Sequence, residues 1–356
     1  MRVVIDALPM RGDSLSVVVE HMLEGWVQIN PDDDLHIVVG PDPQCEIPPS
    51  VTVHPVPFGR IGFASRVRAQ TVLIPRLCRD LQADVMLGVL PATSIAKLPC
   101  PRAIIVYDLL YKLHPEQFSR QALLLRRLSY AIGFAQADAM VCISERTRRD
   151  LLELMPKLRR RPVEVALLGA DHVDSWPATP VETPYAVAFG RYLHKNVALL
   201  LDAWAILHQR GSRLLPLALL GVSGSQRTAV DELIAQRGLT DVVRVSPWLP
   251  IEEFRGVFAS SSLVVFPSEF EGFGLPAAEA MRRGIPVVVS SDPALLEITA
   301  GHATVMEQNT PEALVEAVEA AMARSAASLE AARVHADRFT WKNFANVTRR
   351  QLAGLT

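Results

Sequence analysis

Short apolar runs alternate with longer stretches of helical periodicity along the whole chain. Thirteen runs of three to five residues have the pattern of buried strands, at residues 2–5, 35–39, 51–55, 85–88, 103–106, 140–143, 164–167, 185–189, 217–220, 242–245, 263–266, 287–290 and 303–305. Continuously apolar strands that alternate with helices are typical of parallel sheets covered on both faces. Because thirteen strands exceed what one open sheet usually holds, the sequence predicts an α/β protein with two doubly wound sheets.

A stretch with three prolines and little periodicity, residues 172–184, separates the two sets of runs and is interpreted as a linker. The predicted domains are therefore residues 1–172 and residues 185–340. The last helical segment, 341–356, can belong to either domain or cross back to the first. Two doubly wound domains that face each other would place a ligand in the cleft between them, at the carboxyl ends of the strands.

The charge is unevenly distributed along the 356 residues, although the net charge is only -2. Residues 56–165 carry 18 Lys and Arg residues against 9 Asp and Glu residues. Such an excess indicates an anionic partner, or else a solvated face shared by several helices. The sequence Asp32-Asp33-Asp34 has the composition of a turn on a solvated surface and offers no Asp-x-Asp metal motif.

The four cysteines lie far apart and form no Cys-x-x-Cys pair; they are Cys45, Cys78, Cys100 and Cys142. This spacing is typical of reduced, mostly buried thiols in a cytoplasmic protein. The amino terminus runs directly into the first apolar strand, so no signal peptide is expected. No window of the sequence approaches the roughly 20 apolar residues that span a bilayer. We expect a cytoplasmic protein, at most peripheral to a membrane.

The segment 266–286, FPSEFEGFGLPAAEAMRRGIP, combines a strand end, a glycine loop and a helix start. Gly272 and Gly274 let the backbone approach a ligand closely, and Pro276 suits the first turn of a helix. The backbone amides from Phe273 to Leu275 are expected to face an anion at the amino end of this helix.

Two acids accompany this loop: Glu271 lies within it and Glu279 on the following helix. They can contact two ends of one ligand. Paired carboxylates also suit glycoside hydrolysis when they lie roughly 5–10 Å apart. A purely structural role, complementing the helix dipole, is the third interpretation of these acids.

A second cluster follows the strand at 185–189. Gly190 permits a tight exit from the strand, and Arg191 and Lys195 enter the loop before the next helix. A fixed guanidinium beside a mobile ammonium suits a diphosphate. The alternative of two surface cations is weakened because positive charge opposes the dipole at a helix start.

With these motifs the chain resembles the retaining GT-B glycosyltransferases of family 4, the glycosyl transferases group 1, and bacterial polysaccharide mannosyltransferases in particular. The resemblance rests on Gly190-Arg191 with Lys195-Asn196, and on the run from Glu271 to Pro276 followed by Glu279. Further matches lie at Asp108-Leu109, His114-Pro115-Glu116, Ser144–Thr147, Gly169-Ala170-Asp171 and Pro247–Pro250. It covers most of the chain and is strongest from 187 to 300.

The resemblance implies a nucleotide-sugar donor and a role for each matched residue. Arg191 and Lys195 would bind the donor diphosphate and stabilise its departure, so that no metal or other cofactor is needed. Glu271 would contact the donor sugar and Glu279 the ribose hydroxyls. Gly190, Gly272 and the amides of Phe273, Gly274 and Leu275 would complete the donor site.

The amino-terminal half departs from the family pattern. The loop after the first strand has a single glycine, Gly12, where the family usually has several. Tyr107 stands where many members have a histidine, and His114 does not replace it. Asp108 remains a candidate for contact with the acceptor, with a turn-capping aspartate as the alternative.

The sequence therefore predicts a metal-independent, retaining hexosyltransferase in polysaccharide synthesis. GDP-mannose is the expected donor, with UDP-hexoses and dTDP-rhamnose left open, and a glycan or polyprenyl-diphosphate-linked saccharide is the expected acceptor. Basic helices that carry Arg126 and Arg127 among leucines suggest contact with an anionic membrane.

The competing hypothesis is a non-catalytic GT-B-like partner subunit. Only Tyr107 and the single glycine in the loop after the first strand favour it. A dehydrogenase lacks the Gly-x-Gly-x-x-Gly motif after the first strand, and no nucleic-acid-binding module is recognisable.

Overall fold

The structure, a computed structural model, describes residues 1–10, 14–41, 43–56, 63–178, 182–191, 193–211 and 215–356. Every strand predicted from the apolar runs is confirmed in it, with ends displaced by at most two residues. The strands are β1 Arg2–Asp6, β2 Asp34–Val39, β3 Thr52–Pro55, β4 Val85–Gly88, β5 Arg102–Val106, β6 Ala139–Cys142, β7 Val163–Val165, β8 Ala186–Phe189, β9 Leu217–Leu220, β10 Val243–Val245, β11 Leu263–Phe266, β12 Val287–Ser290 and β13 Thr304–Met306.

Helices follow most of the strands, and many begin after a side chain that accepts an amide hydrogen bond. Ser119, Ser144, Thr310 and Thr340 are such caps. The helices are α1 Ser14–Ile29, α2 Phe63–Asp80, α3 Leu110–Leu113, α4 Arg120–Gln136, α5 Glu145–Leu154, α6 Val197–Gln209, α7 Ser225–Gln236, α8 Ile251–Ala259, α9 Leu275–Arg282, α10 Pro293–Thr299, α11 Pro311–Met322, α12 Ala326–Ala336 and α13 Trp341–Ala353. Among the described helices, none has both the length and the apolar composition to cross a bilayer.

Two parallel sheets organise the chain, one in each of two compact units. A seven-stranded sheet has the order β3-β2-β1-β4-β5-β6-β7, and a six-stranded sheet has the order β10-β9-β8-β11-β12-β13. The order reverses once in each sheet, between β1 and β4 and between β8 and β11. Ligands of doubly wound sheets bind beyond the carboxyl ends of the strands at such a reversal.

The first unit comprises Met1–Gly169 with Phe339–Thr356, and the second comprises Ala170–Arg338. The division falls after Gly169 and not after residue 172. The linker prediction is wrong for its first residues, because Asp171–Ser175 forms a 3₁₀ helix within the second unit. The final helix α13 lies in the first unit.

Asp33 corrects the interpretation of the acidic run as a solvated turn. Its side chain is only 3 % exposed and binds the amino-terminal ammonium at 2.9 Å, Trp26 Nε1 at 2.9 Å and Arg349 Nε at 2.5 Å. Burial alone would raise the pKa of Asp33, but the hydrogen bonds from Arg349, the ammonium and Trp26 outweigh it and lower the pKa to about 2. Asp33 therefore fastens α13 to the start of the chain.

Helix α13 packs closely on α1, and a glycine makes the contact possible. A Cβ atom on Gly25 would lie 2.7 Å from the carbonyl oxygen of Trp341 and 2.8 Å from its carbonyl carbon. Both atoms belong to the backbone, so no rotamer change can make room.

Gly25→Ala should therefore lower the free energy of unfolding of the first unit by roughly 1–3 kcal/mol, because the two helices must separate. The matched control is Gly256→Ala in α8, where a Cβ atom meets nothing within 4 Å. That change should be neutral or stabilising by up to about 1 kcal/mol, since alanine is the better helix former. Urea denaturation measures both, and equal effects of the two substitutions would contradict the packing argument.

Candidate functional site

The two motif loops meet where the strand order of the second sheet reverses. One loop follows β8 and the other follows β11, and these strands are direct neighbours. The amide of Glu269 donates a hydrogen bond of 2.8 Å to the carbonyl of His194 and ties the loops together. The structure thus brings together segments that lie some 75 residues apart in the sequence.

Lys195 and Glu271 form the central contact between these loops. The Lys195 ammonium donates to Glu271 Oε1 at 2.5 Å, and the two side chains are only 14 % and 13 % exposed. The ammonium also lies 4.2 Å from the ring centroid of Phe266, the last residue of β11. Lys195, which is predicted to bind phosphate, and Glu271, which is predicted to bind the sugar, are therefore direct neighbours.

Arg191 lies at the exposed rim of the same strand end. Its guanidinium carbon is 4.9 Å from the ring centroid of Trp248, an aromatic side chain that is 55 % exposed. Behind it, Gly190 lies so close to Val222 that a Cβ atom would approach a methyl group to 2.5 Å. Gly190 therefore allows the tight exit from β8 that the sequence predicted.

The glycine loop after β11 ends in a left-handed turn. Gly274 has φ +92° and is the N-cap of α9, which begins at Leu275. Glycine adopts this backbone conformation without a steric penalty. Phe273 is buried at 3 % exposure, whereas Gly272 lies at intermediate depth between it and Glu271. Helix α9 thus begins in the loop that follows β11, one of the two strands at the reversal of strand order.

Glu279 lies on α9, one turn beyond the amino end, and is buried at 4 % exposure. His172 Nε2 lies 3.1 Å from Glu279 Oε1, and its side chain is equally buried. The ring of Trp176 packs edge-on against the His172 imidazole, with 5.3 Å between the ring centroids. The carboxylate of Glu279, which is predicted to bind the ribose, is therefore held by the His172 imidazole and does not point into open solvent.

Two arginines at the carboxyl end of α9, Arg282 in its last turn and Arg283 at its C-cap, brace the 3₁₀ helix that carries His172. Arg282 donates to both carboxylate oxygens of Asp174, at 2.7 and 2.6 Å. Arg283 Nη1 donates to the carbonyl of Val173 at 3.1 Å. Sequence reasoning missed His172, which it placed in the linker. The only available signal was its position directly after the Gly169-Ala170-Asp171 match.

The three residues predicted on the acceptor side belong to the first unit. Gly12 lies outside the described residues. The carbonyl of Tyr107 accepts a hydrogen bond of 3.1 Å from Thr147 Oγ1. Asp108 Oδ1 accepts a hydrogen bond of 2.9 Å from the amide of Leu110. Asp108 thus has the turn-capping contact that was the alternative, and its acceptor role stays a prediction.

A buried carboxyl group marks the strand reversal of the first sheet, and sequence reasoning did not single it out. Asp6 ends β1 at 1 % exposure and accepts hydrogen bonds from Gln70 Nε2 at 2.8 Å and Thr93 Oγ1 at 3.0 Å. Burial raises the pKa of Asp6 to about 6, although these hydrogen bonds and the charge of Arg66 oppose the shift. Asp6 joins α2 to the loop after β4.

One group of potential metal ligands occurs among the described residues: Glu20, His21 and Glu24 on α1. His21 Nδ1 is already hydrogen-bonded to Glu24 at 2.6 Å, and the group belongs to the first unit, remote in sequence from the motif loops.

The buried His172–Glu279 contact predicts energetic coupling. His172→Phe keeps a ring against Trp176 and Glu279→Gln keeps the shape of the acid, yet each removes the charged hydrogen bond. Each variant should lose about 1–3 kcal/mol of unfolding free energy, and the double variant should lose about 1 kcal/mol less than the sum.

The control for this double-mutant cycle is the exposed pair Arg210 and Glu319, whose nitrogen and oxygen atoms lie 3.7 Å apart. Its coupling should stay below about 0.5 kcal/mol because water screens it. Additive losses at His172 and Glu279, measured in urea, would mean that the two side chains do not support each other.

Comparison with known proteins connects the second unit to a family. Residues 176–334 match the family model described as "Glycosyl transferases group 1". O-antigen chain mannosyltransferase B of Escherichia coli is 27 % identical over 221 residues, which are 58 % of this chain and 58 % of that protein. The chain thus matches little more than half the length of this curated relative.

Solved structures agree in fold over their whole length. Sucrose-phosphate synthase from Thermosynechococcus elongatus superimposes with a TM-score of 0.77 at 17 % identity, covering all of both chains. HepE from Anabaena, solved in complex with UDP and glucose, gives 0.75 at 16 % identity with the same coverage. The match to the glycosyl transferases group 1 model lies in the second unit and covers less than half of the chain, and the two parallel-sheet units share the GT-B fold of these solved structures.

Proposed function

We propose that the protein is a retaining, metal-independent glycosyltransferase that moves mannose from GDP-mannose to a glycan or polyprenyl-diphosphate-linked saccharide in bacterial polysaccharide synthesis. The observation that carries the proposal is the contact between Lys195 and Glu271 at the strand reversal of the second sheet. It joins a cation suited to phosphate with an acid suited to sugar hydroxyls. The amino end of α9 lies on the same loop.

The proposed reaction breaks the bond between the anomeric carbon and the diphosphate oxygen. The electron pair leaves with the diphosphate, whose growing charge is stabilised by Arg191, Lys195 and the amino end of α9. These groups supply the positive charge that a metal ion supplies in other transferases. The acceptor oxygen bonds to the anomeric carbon on the face that the diphosphate leaves, and its proton passes to the departing phosphate oxygen.

The proposed donor contacts divide between the two acids. Glu271 accepts hydrogen bonds from hydroxyls of the sugar, and the amides of Phe273, Gly274 and Leu275 hold the sugar and the phosphate. Glu279 accepts hydrogen bonds from the ribose. It is buried and held by His172, so it meets a ribose with its carboxylate already oriented.

Support for mannose comes from the name of the Escherichia coli relative, a mannosyltransferase. HepE, which was solved with UDP-glucose, supports a nucleotide-sugar donor in this fold and keeps UDP-hexoses open. The remaining donor alternative is dTDP-rhamnose. On the acceptor side, Asp108 and Tyr107 are the proposed contacts.

The competing proposal is a partner subunit that binds a nucleotide without transfer. The tyrosine at position 107 favours it, because the family often has a histidine there. It predicts nucleotide binding with no turnover, so binding and transfer must be measured separately.

A thermal-shift series with GDP, UDP, dTDP and ADP tests the donor, with GDP expected to stabilise the protein most. Saturating ligand at about 100 times its Kd adds about 2.7 kcal/mol to the unfolding free energy. Arg191→Ala and Lys195→Ala should each weaken GDP binding about 10- to 100-fold, since a charged hydrogen bond to phosphate is lost. Guanosine, which lacks phosphate, should lose less than about threefold.

The matched control is Arg210→Ala, which removes an exposed cation at the opposite end of α6 and should leave GDP binding unchanged. In the same series Glu271→Ala should bind GDP yet transfer no mannose from GDP-mannose, with or without EDTA. Full transfer by Glu271→Ala would refute the site. GDP binding without transfer in the unaltered protein, across a panel of glycan acceptors, would favour the partner subunit.

We further propose that α4 rests on an anionic membrane. This helix has three arginines and no acidic residue. Leu124 and Leu128 are 58 % and 57 % exposed and share a face with Arg120 and Arg127. An exposed face that combines leucines with arginines suits the interface of anionic lipids. Arg126 instead packs its guanidinium over the ring of Phe118 at 4.9 Å.

Charge reversal tests this surface. Arg120→Glu with Arg127→Glu should lower cosedimentation with vesicles of phosphatidylcholine and phosphatidylglycerol at least about tenfold, since each basic residue near an anionic surface contributes about 1 kcal/mol. Arg210→Glu, in the second unit, is the control and should bind like the unaltered protein. Unchanged vesicle binding in the double variant would refute the proposed surface.

A further inference from the structure

A third loop of the second unit reaches the two motif loops. It follows β13 and contains Asn309, an exposed residue two positions before α11. The Asn309 side chain accepts a hydrogen bond of 2.6 Å from Asn196 Nδ2 and donates one of 2.9 Å to Glu269 Oε1. Asn196 belongs to the loop after β8 and Glu269 to the loop after β11. A single amide group therefore bridges both loops that carry the proposed donor ligands.

Helix packing explains why Asn309 reaches a strand reversal that lies two strands away. β13 is at the edge of the sheet, and β12 separates it from β11. The helix after β13, α11, packs on α6, and both helices contribute to one apolar cluster, for example with Leu314 and Leu200. Because both helices follow strands of one parallel sheet, their amino ends lie on the same side. Asn196 is the N-cap of α6, and it meets Asn309 there.

The two partners of Asn309 are neighbours in sequence of the proposed donor ligands. Asn196 directly follows Lys195 and has a left-handed backbone, with φ 58° and ψ 43°. Residues other than glycine rarely adopt this conformation, and asparagine tolerates it better than most. Glu269 lies two positions before Glu271, and its amide is the one that donates to the loop after β8. The bridge thus acts on the turn that carries Lys195 and on the loop that carries Glu271.

We propose that Asn309 is a positioning residue of the donor site, which keeps Lys195 and Glu271 in contact before a ligand binds. It acts through Asn196 and Glu269. The inference rests on the proposed function for its ligand, a nucleoside diphosphate, whereas the bridge itself needs no ligand. A loop that is already ordered costs less free energy to fix when the diphosphate arrives, so the bridge should raise the affinity for the nucleotide.

The hydrogen-bonding capacity of an amide suits both partners. The carbonyl oxygen of Asn309 accepts from the amide of Asn196, and its NH₂ group donates to the Glu269 carboxylate. In Asn309→Asp the side chain can still accept from Asn196, but it has no donor for Glu269, and two carboxylates face each other. Adding Glu269→Gln to this variant supplies the missing donor from the opposite side and restores the net charge. The pair of substitutions therefore exchanges the two groups and keeps the bridge.

Hydrogen–deuterium exchange of the ligand-free, full-length protein tests the bridge directly. The Glu269 amide is held by its hydrogen bond of 2.8 Å to the His194 carbonyl. In Asn309→Asp the peptide that contains residue 269 should exchange at least about threefold faster, because the two loops separate more often. Adding Glu269→Gln should return the exchange rate to that of the unaltered protein. Asn309→Ala, which removes both hydrogen bonds without adding charge, should change exchange in the same direction by a smaller factor.

Calorimetric titration with GDP then measures what the bridge contributes to the site. Asn309→Asp should bind GDP about 5- to 20-fold more weakly, and the double variant should bind within about twofold of the unaltered protein. The urea midpoint should stay the same in all variants, since the bridge is exposed to water. If GDP does not bind the unaltered protein, the titration uses whichever of UDP, dTDP or ADP stabilises it.

The matched control is Gln308→Glu, which turns an exposed amide into an acid at the adjacent position. It adds the same charge to the same loop, so exchange and GDP affinity should both stay within about twofold of the unaltered protein. Equal effects of Gln308→Glu and Asn309→Asp would mean that charge, and not the bridge, matters, and would overturn the proposal.

The two measurements keep this inference separate from the assignment of the donor. Faster exchange in Asn309→Asp that Glu269→Gln reverses supports the bridge, even where GDP fails to bind and the proposed donor is refuted. Exchange that is unchanged in Asn309→Asp, or that Glu269→Gln does not restore, would overturn the positioning role. Faster exchange with an unchanged affinity for the nucleotide would overturn it as well, because the order of the loops would then not serve the site.

Discussion

The reversal of strand order between β8 and β11 is the constraint on which the chemistry of the second unit depends. The chain runs from β8 outward through β9 and β10 and then returns to pair β11 with the other edge of β8. The loops after β8 and β11 consequently start side by side and depart toward different neighbours. Lys195 and Glu271 meet because of this topology, across 76 positions of sequence.

The contact of Lys195 with Glu271 also shapes how the site would receive a diphosphate. An ammonium has three donors, and the carboxylate accepts from one of them at 2.5 Å. In the proposed function, the other two donors bind phosphate oxygens without breaking the ion pair. In the partly buried setting of these side chains, the ion pair keeps the carboxylate in place and limits its desolvation cost. The arrangement is thus organised before any ligand is present.

Sequence reasoning reached the strands and both motif loops because their signals are local. A buried parallel strand is a continuous apolar run, as at 263–266. The glycines at 190 and 274 indicate, from the sequence alone, where the backbone turns tightly. The interactions that it missed join distant positions. His172 lies 107 residues from Glu279, and Arg349 lies 316 residues from Asp33. In neither pair do the two residues belong to one helical or strand repeat or to one sequence motif, so these contacts are visible only in the folded structure.

The linker prediction for residues 172–184 failed over its first residues for a different reason. Three prolines and little periodicity describe an irregular backbone, and irregular backbone can still pack tightly. Arg282 and Arg283 hold this segment on α9 through side chains whose targets the sequence does not display.

The basic stretch shows why a count of charges cannot by itself identify a binding surface. Arg102 is buried, and its terminal nitrogens donate hydrogen bonds to backbone carbonyls. Arg161 donates to the carbonyls of Phe134, Ala135 and Ala137 and so caps the carboxyl end of α4. Both cations belong to the architecture of the first unit and are not available to a partner.

Other cations of the stretch are matched within their own helix. Arg146 binds Asp150 at 2.7 Å, and Arg148 binds Glu145 at 2.6 Å. The exposed arginines of α4 differ from these, because no acid on that helix offsets them and two exposed leucines share their face. Exposed apolar surface is unfavourable in water, and the positive charge beside it is attracted to an anionic lipid interface. The position of the charges, and not their number, is what favours a membrane over a merely solvated face.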